Sequence, residues 1–258
     1  MTAPWDLRVG HRPTPLQGWV IIGGLVVAAL VTAAIVVPAP DPFLPGVKWG
    51  SAILLFVAAL LAPRRHPALS WVVAAFGASA LGDLFLVGLV PLDGGLSRMV
   101  GMGLFAVAYG LLTVAFWRGR FVAYGLRYLA TYVLVGVALV FGLWPRLEGV
   151  MQVALPAFTL VIVVMAWSAA TSPARGVFSR RVGELFAVGA GTLVASDAAV
   201  SFAMFAPPTG EAQLALDVFI RLSYFAGWLV LLVALLDPEP SASGTAGTDG
   251  EATYPWSA

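Results

Sequence analysis

Residues 69–90 read LSWVVAAFGASALGDLFLVGLV, an apolar run with one charged residue, Asp83, inside it. About 20 apolar residues in helical conformation cross the hydrocarbon core of a bilayer. Similar runs recur along the 258-residue chain, in which 60% of the residues are hydrophobic and 10% are charged. The mean hydropathy of +0.93 is far above that of soluble domains. The runs do not alternate as barrel strands do. The sequence therefore predicts an all-α integral membrane protein, a polytopic helix bundle in a lipid bilayer.

We predict eight transmembrane helices in one domain over residues 18–236. The predicted spans are 18–37, 47–62, 69–90, 98–117, 121–143, 149–170, 184–206 and 214–236. Residues 1–17 are expected to be a cytoplasmic amino-terminal segment. Residues 237–258 are small, polar and acidic, which predicts a disordered cytoplasmic tail.

Basic residues are divided unevenly between the two sets of loops. The amino-terminal segment and alternate loops hold nine of them: Arg8, Arg12, Arg64, Arg65, Arg118, Arg120, Arg175, Arg180 and Arg181. The opposite side offers four: Lys48, Arg98, Arg146 and Arg221. Cytoplasmic loops are enriched in Lys and Arg. The distribution therefore predicts that both termini are cytoplasmic, in a plasma membrane of bacterial type.

A second aspartate, Asp197, lies inside the apolar run LVASDAAVSF of residues 193–202. The third and seventh spans run in the same direction, so Asp83 and Asp197 are expected at nearly the same depth. An aspartate at the centre of a membrane helix costs about 2.5–3.5 kcal/mol on insertion scales. Such residues usually face a cavity or a partner within the bundle. We predict that the two carboxyl groups share one site. The structural alternative is that each only hydrogen-bonds a neighbouring helix.

Two tyrosines follow the aspartates at matched spacing. Tyr109 comes 26 positions after Asp83, and Tyr224 comes 27 positions after Asp197. This spacing suggests two parallel four-helix halves with the site between them. The other matched positions are small or apolar, so a chance match stays an alternative, and packing roles for both tyrosines stay open.

Several other polar and small residues favour structural roles. Asp217 and Arg221 have the i,i+4 spacing of an ion pair on a helix surface. Glycines in the fourth and seventh spans are expected where helices pack closely; they are Gly101, Gly103, Gly110, Gly189 and Gly191.

Several chemistries have no support in the sequence. The chain has no cysteine and two histidines, His11 and His66, both outside the predicted spans. No serine-hydrolase elbow, phosphate-binding loop or zinc-protease motif occurs. We therefore expect no metal and no organic cofactor, and the net charge of +1 gives no reason to expect nucleic acid. Acid–base catalysis by carboxyl groups remains.

The arrangement resembles the YhhN-like family of membrane proteins, whose characterised members are lysoplasmalogenases. The residues that carry the resemblance are Lys48, Gly82, Asp83, Gly101, Phe105, Ser196, Asp197 and Tyr224. The chain departs from the family pattern at three places. Trp49 stands where proline usually follows the lysine, Tyr109 replaces a histidine of the fourth span, and the glutamine expected after Tyr224 is absent.

The resemblance implies an activity and roles for these residues. A lysoplasmalogenase adds water across the vinyl ether of a lysoplasmalogen, a lysophospholipid, and releases an aldehyde and a glycerophospho-base. Asp83 and Asp197 would be the acid and the base or cation stabiliser, without an assignment between them. The substrate-binding residues would be Lys48 at the phosphate, Tyr109 and Tyr224 at water or the ether oxygen, and Ser196.

Two other functions fit the same residues. A small proton-coupled carrier would use the aspartates as titrating groups during alternating access. A membrane protein that binds lysolipid without cleaving it could descend from the enzymes after loss of the histidine.

Overall fold

The computed structural model describes residues 43–62, 67–117, 125–176 and 178–237 and, singly, Gly18 and Gly23. Seven helices lie in these ranges: α1 (Phe43–Leu61), α2 (Pro67–Leu86), α3 (Gly94–Phe116), α4 (Leu126–Leu143), α5 (Met151–Arg175), α6 (Arg180–Phe205) and α7 (Glu211–Leu235). A short 3-10 helix, Trp144–Arg146, follows α4. No strand occurs within the described ranges, so the prediction of an all-α fold is confirmed.

The helices have the dimensions of a membrane protein. Helices α2 to α7 are long and apolar enough to cross a bilayer, and the apolar part of α1, Gly46–Leu61, is shorter. These seven helices correspond to the second to eighth predicted spans, with ends displaced by a few residues. The segment 1–17 and the tail after Asp237 lie outside the described residues, as does the predicted first span apart from Gly18 and Gly23. The count of eight transmembrane helices therefore stays a prediction.

Polar caps begin two of the helices at their loops. The Asp93 carboxylate accepts hydrogen bonds from the backbone N–H groups of Gly95 and Leu96 at the start of α3. Ser179 accepts one from Val182 at the start of α6. Such caps satisfy backbone donors that have no partner within the helix. They fix where the chain re-enters the bundle.

Two close helix pairs form the framework of the bundle. Helix α2 packs along α3, and α6 packs along α7. Helix α5 contacts α3 and α6, while α1 contacts α2 and α7. These six helices surround a common interior. Helix α4 packs mainly on α5, and most of its surface is exposed.

Glycines allow the two pairs to approach closely. A Cβ atom added at Gly101 would lie 3.2 Å from the Gly82 carbonyl oxygen, and one at Gly189 would lie 3.1 Å from the Gly227 carbonyl oxygen. The predicted close-packing role is confirmed for Gly101 and Gly189. It is wrong for Gly103, Gly110 and Gly191, where an added Cβ would meet no atom within 4 Å.

Consecutive helices joined by short loops alternate in direction. The loops 87–93, 144–150 and 206–210 therefore lie at one end of the bundle, which we call the cavity end. The sequence predicts this end to be the outer one, because the opposite loops are rich in arginine.

Candidate active site

Asp83 is fully buried in the last turn of α2, three residues before Leu86. The carboxyl end of a helix disfavours negative charge, so an ionised Asp83 needs partners from other helices. Tyr224 of α7 donates its hydroxyl hydrogen bond to Asp83 Oδ2. Lys48 Nζ of α1 lies 3.2 Å from Asp83 Oδ1. The lysine contact is an ion pair without hydrogen-bond geometry, and Oδ1 accepts no hydrogen bond from the described residues.

Lys48 also lies over the face of Tyr224. Its ammonium nitrogen is 5.7 Å from the centroid of the ring, within the range of a cation–π contact. The lysine therefore touches both members of the Tyr224–Asp83 pair. These contacts bring α1, α2 and α7 together at one point.

Asp197 lies on α6 and has a different environment. Tyr109 of α3 donates a hydrogen bond to Asp197 Oδ2 at 2.5 Å. Asp197 is half-buried, whereas Tyr109 is fully buried. Among the described residues, no Lys or Arg nitrogen lies within 4 Å of the Asp197 carboxylate. Within the described part of the chain, Asp83 is thus paired with a cation and Asp197 is not.

Each Tyr–Asp hydrogen bond connects one close helix pair to the other. Tyr109 belongs to the α2–α3 pair and binds the aspartate of α6, while Tyr224 belongs to the α6–α7 pair and binds the aspartate of α2. This reciprocal arrangement accords with the matched sequence spacing of the residues. The hydrogen bonds join the two pairs through their functional side chains.

Phe105 packs between the two tyrosines. Its ring centroid lies 6.2 Å from that of Tyr109 and 6.1 Å from that of Tyr224. Gly82 makes room for this ring, because a Cβ atom there would lie 2.8 Å from Phe105 Cδ2. Gly82, Gly101 and Phe105 therefore serve the site by packing.

A cavity opens beside these groups with about 720 Å³ of atom-free space, including solvent space at its opening. Lys48, Asp83, Ser196, Asp197 and Tyr224 line it, and Tyr109 reaches it through Asp197. The remaining lining is largely apolar, with Met102, Phe105, Leu155, Phe158, Met204 and Phe205 among its residues. The lining segments are the parts of the helices nearest the cavity end. The apolar lining with its few polar groups suits an apolar ligand that carries a polar group.

Ser196 joins α6 to α7 beside the cavity. Its hydroxyl donates to the Ile220 carbonyl oxygen at 3.2 Å. The structure therefore brings together all six residues that the sequence predicted for the site, but it gives the Ser196 hydroxyl a backbone partner.

Arg221 is the cavity residue that sequence reasoning missed. The predicted ion pair with Asp217 is wrong, since no such pair within 4 Å occurs among the described residues. Arg221 instead lines the cavity with Tyr224. The i,i+3 spacing of these two residues places them on one helix face, and this signal could have identified the arginine.

The described residues contain no group of three His, Asp or Glu side chains placed to hold a metal ion. Residues 43–235 match the model of the YhhN family. Neither the search of curated proteins nor the search of solved structures found a match.

Proposed function

Because the chain belongs to the YhhN family, we propose that it is a membrane hydrolase that cleaves the vinyl ether bond of lysoplasmalogens. The products are a long-chain aldehyde and a glycerophospho-base. One observation carries the proposal: two aspartates, each held by a tyrosine from the opposite helix pair, meet at one largely apolar cavity. The apolar lining suits the hydrocarbon chain, and the carboxyl groups suit the acid-catalysed chemistry.

The reaction consumes one water and no cofactor. A carboxylic acid protonates the ether-bearing double bond at the carbon remote from oxygen, which forms an oxocarbenium ion. Water adds to the carbon next to oxygen and loses a proton to a carboxylate, giving a hemiacetal. The hemiacetal hydroxyl then gives its proton to the first carboxyl group, now a carboxylate, while the glycerol oxygen takes the proton held by the second. The bond between carbon and the glycerol oxygen breaks, the aldehyde leaves, and both carboxyl groups return to their starting states. The need for one acid and one carboxylate is that of glycoside hydrolysis.

The environments of the two aspartates support an assignment of roles. A buried carboxylate is stable only when it is paired and hydrogen-bonded. Asp83 has both partners, Lys48 and Tyr224, so it is the ionised group that stabilises the cation and accepts the proton of water. Its Oδ1, which accepts no hydrogen bond from the described residues, is the oxygen for that water.

Asp197 is the proton donor in this assignment. It has no cation partner among the described residues, whereas Asp83 has Lys48. Tyr109 binds its Oδ2, which leaves Oδ1 to carry the transferable proton. Tyr109 occupies the position of the family histidine, and its role here is to orient the acid. We also propose that the cavity end faces outward and that both termini are cytoplasmic, following the distribution of arginines.

Aldehyde release by purified protein tests the proposal. The substrates are alkenyl-lysophosphatidylethanolamine and its choline counterpart, and the variants are Asp83→Asn and Asp197→Asn. Each variant should lose activity by about 10²–10⁴-fold, the usual contribution of a catalytic acid or base. The matched control is Asp93→Asn, because Asp93 is exposed and asparagine caps a helix equally well.

The outcomes separate the hydrolase from the other functions. Wild-type activity in both cavity variants, or no aldehyde from folded wild-type protein, would overturn the proposal. In the second case, proton-dependent flux in liposomes would indicate a carrier, and tight binding of lysolipid without turnover would indicate a binding protein.

A further inference from the structure

Two basic residues line the cavity, and one of them already has an anionic partner. Lys48 is 3.2 Å from Asp83 Oδ1, so its charge balances the buried aspartate. Arg221 is the other. Among the described residues, no carboxylate lies within 4 Å of its guanidinium group. An arginine stays charged in proteins, so the cavity wall contains a positive charge that has no counter-ion among the described residues.

The charge of the cavity follows from these pairs. Lys48 and Asp83 cancel, and Asp197 is neutral while it holds the proton to be donated. Arg221 then leaves a net charge of +1 in a cavity that is otherwise mostly apolar. Such a cavity is complementary to an amphiphile with one anionic group.

Arg221 lies nearer the cavity end than Tyr224 does. It precedes Tyr224 by three residues on α7, which is about 4.5 Å along the helix axis toward the cavity end. The neighbouring Ile220 carbonyl oxygen accepts the hydrogen bond of Ser196, next to Asp197. Arg221 and Asp197 therefore line one cavity at neighbouring positions of α7 and α6.

We propose that Arg221 binds the phosphate of the lipid headgroup and makes the cavity selective for phosphate-bearing single-chain lipids over those that lack a phosphate. The inference deepens the proposed hydrolase function and rests on the same cavity. Phosphate binding, which the sequence suggested for Lys48, is then the role of Arg221. Lys48 instead forms the ion pair with Asp83. A guanidinium group suits phosphate because it can donate two parallel hydrogen bonds. A glycerol unit separates the phosphate from the ether oxygen, so a phosphate bound at Arg221 would keep the ether within the cavity that Asp83 and Asp197 line.

Binding of lipids that lack the vinyl double bond tests this inference apart from catalysis. The probes are a saturated 1-O-alkyl lysophosphatidylethanolamine, the 1-O-alkylglycerol of the same chain length, and glycerol 3-phosphate. Binding to the purified full-length protein is measured by calorimetry. Wild type should prefer the phosphate-bearing lipid over the alkylglycerol by about 10- to 100-fold, as expected for hydrogen bonds to a charged group. Glycerol 3-phosphate should bind far more weakly because it lacks the chain.

Three variants locate the preference. Arg221→Gln should remove it and leave the affinity for alkylglycerol unchanged, while Arg221→Lys should weaken it selectively. Arg98→Gln is the matched control, because Arg98 is exposed at the cavity end and does not line the cavity. If Arg221→Gln fails to fold, the wild-type preference and the lysine variant still decide the question.

Four results would overturn the inference. Two of them concern wild type: equal affinity for both lipids, and tight binding of glycerol 3-phosphate by itself. The other two concern folded Arg221→Gln: an unchanged preference for the phosphate-bearing lipid, and an equal loss of affinity for both lipids. A phosphate preference without aldehyde release would instead retain the headgroup site and reject the hydrolase. Aldehyde release without the phosphate preference would retain the hydrolase and reject the headgroup site.

Discussion

Lys48 of α1 and Asp83 of α2 form an ion pair in which Nζ lies 3.2 Å from Oδ1. The Asp83 side chain is 1% exposed and the Lys48 side chain is 26% exposed. The pair lies at the carboxyl-terminal turn of α2, where the helix dipole disfavours an unpaired carboxylate. The lysine therefore has a structural and electrostatic partner within the site before any ligand arrives.

Lys48→Met should reduce both stability and activity. Removing one partner of a buried ion pair leaves an uncompensated charge, at a cost of about 3–5 kcal/mol. The expected result is a lower melting temperature and at least about a tenfold loss of aldehyde release. The double variant Lys48→Met, Asp83→Asn should regain much of the stability without activity, because neither charge remains. A single variant as stable as wild type would show that the ion pair contributes little.

Tyr109→Phe and Tyr224→Phe each remove one hydroxyl group and keep the aromatic packing. Each change leaves a carboxyl oxygen without its donor, which costs about 1–3 kcal/mol. Both variants should lower the melting temperature and kcat, and Tyr224→Phe should be the less stable because Asp83 is fully buried. Tyr132→Phe on α4 is the control, since Tyr132 does not line the cavity. Wild-type kcat in both variants would remove the tyrosines from the mechanism.

Ser196→Ala should act through the α6–α7 contact. The hydroxyl bonds the Ile220 backbone carbonyl, and loss of such a bond costs about 1 kcal/mol. The melting temperature and kcat should fall modestly, while KM should stay the same. A rise in KM with unchanged stability would instead support the substrate-binding role suggested by the sequence.

The helices of the bundle are largely predictable from hydropathy. The second to eighth predicted spans match α1 to α7, because a run of about 20 apolar residues has few other places to fold. The two aspartates are also evident, since a charge inside such a run needs a partner. Hydropathy cannot predict which side chains from different helices contact one another. Tyr109 could equally have faced Asp83 or Asp197, and the packing of α3 against α5 and α2 decides it.

Arg221 shows where a local rule misleads. The i,i+4 spacing predicts an ion pair between Arg221 and Asp217 on the helix surface. The spacing contains no information about which helix face borders a cavity. The half-buried Arg221 can be assigned to the cavity only when the relative positions of α6 and α7 are known.

The glycines give a matched test of the fold. Gly189 and Gly191 are two residues apart on α6, so they point to different sides of the helix. An added Cβ at Gly189 would lie 2.8 Å from Leu231 Cδ2 and 3.1 Å from the Gly227 carbonyl oxygen, whereas at Gly191 it would meet nothing within 4 Å. The sequence spacing cannot distinguish the two positions, but the contact between α6 and α7 does.

Gly189→Ala should therefore separate α6 from α7 and destabilise the protein by about 1–3 kcal/mol, the usual penalty of overpacking. Gly191→Ala should be neutral or slightly stabilising, because alanine is about 1 kcal/mol better than glycine within a helix. Melting temperatures of the two purified variants provide the comparison. The displaced α7 carries Tyr224, so Gly189→Ala should also lower aldehyde release. Equal melting temperatures would contradict the close approach of Gly189 to Gly227.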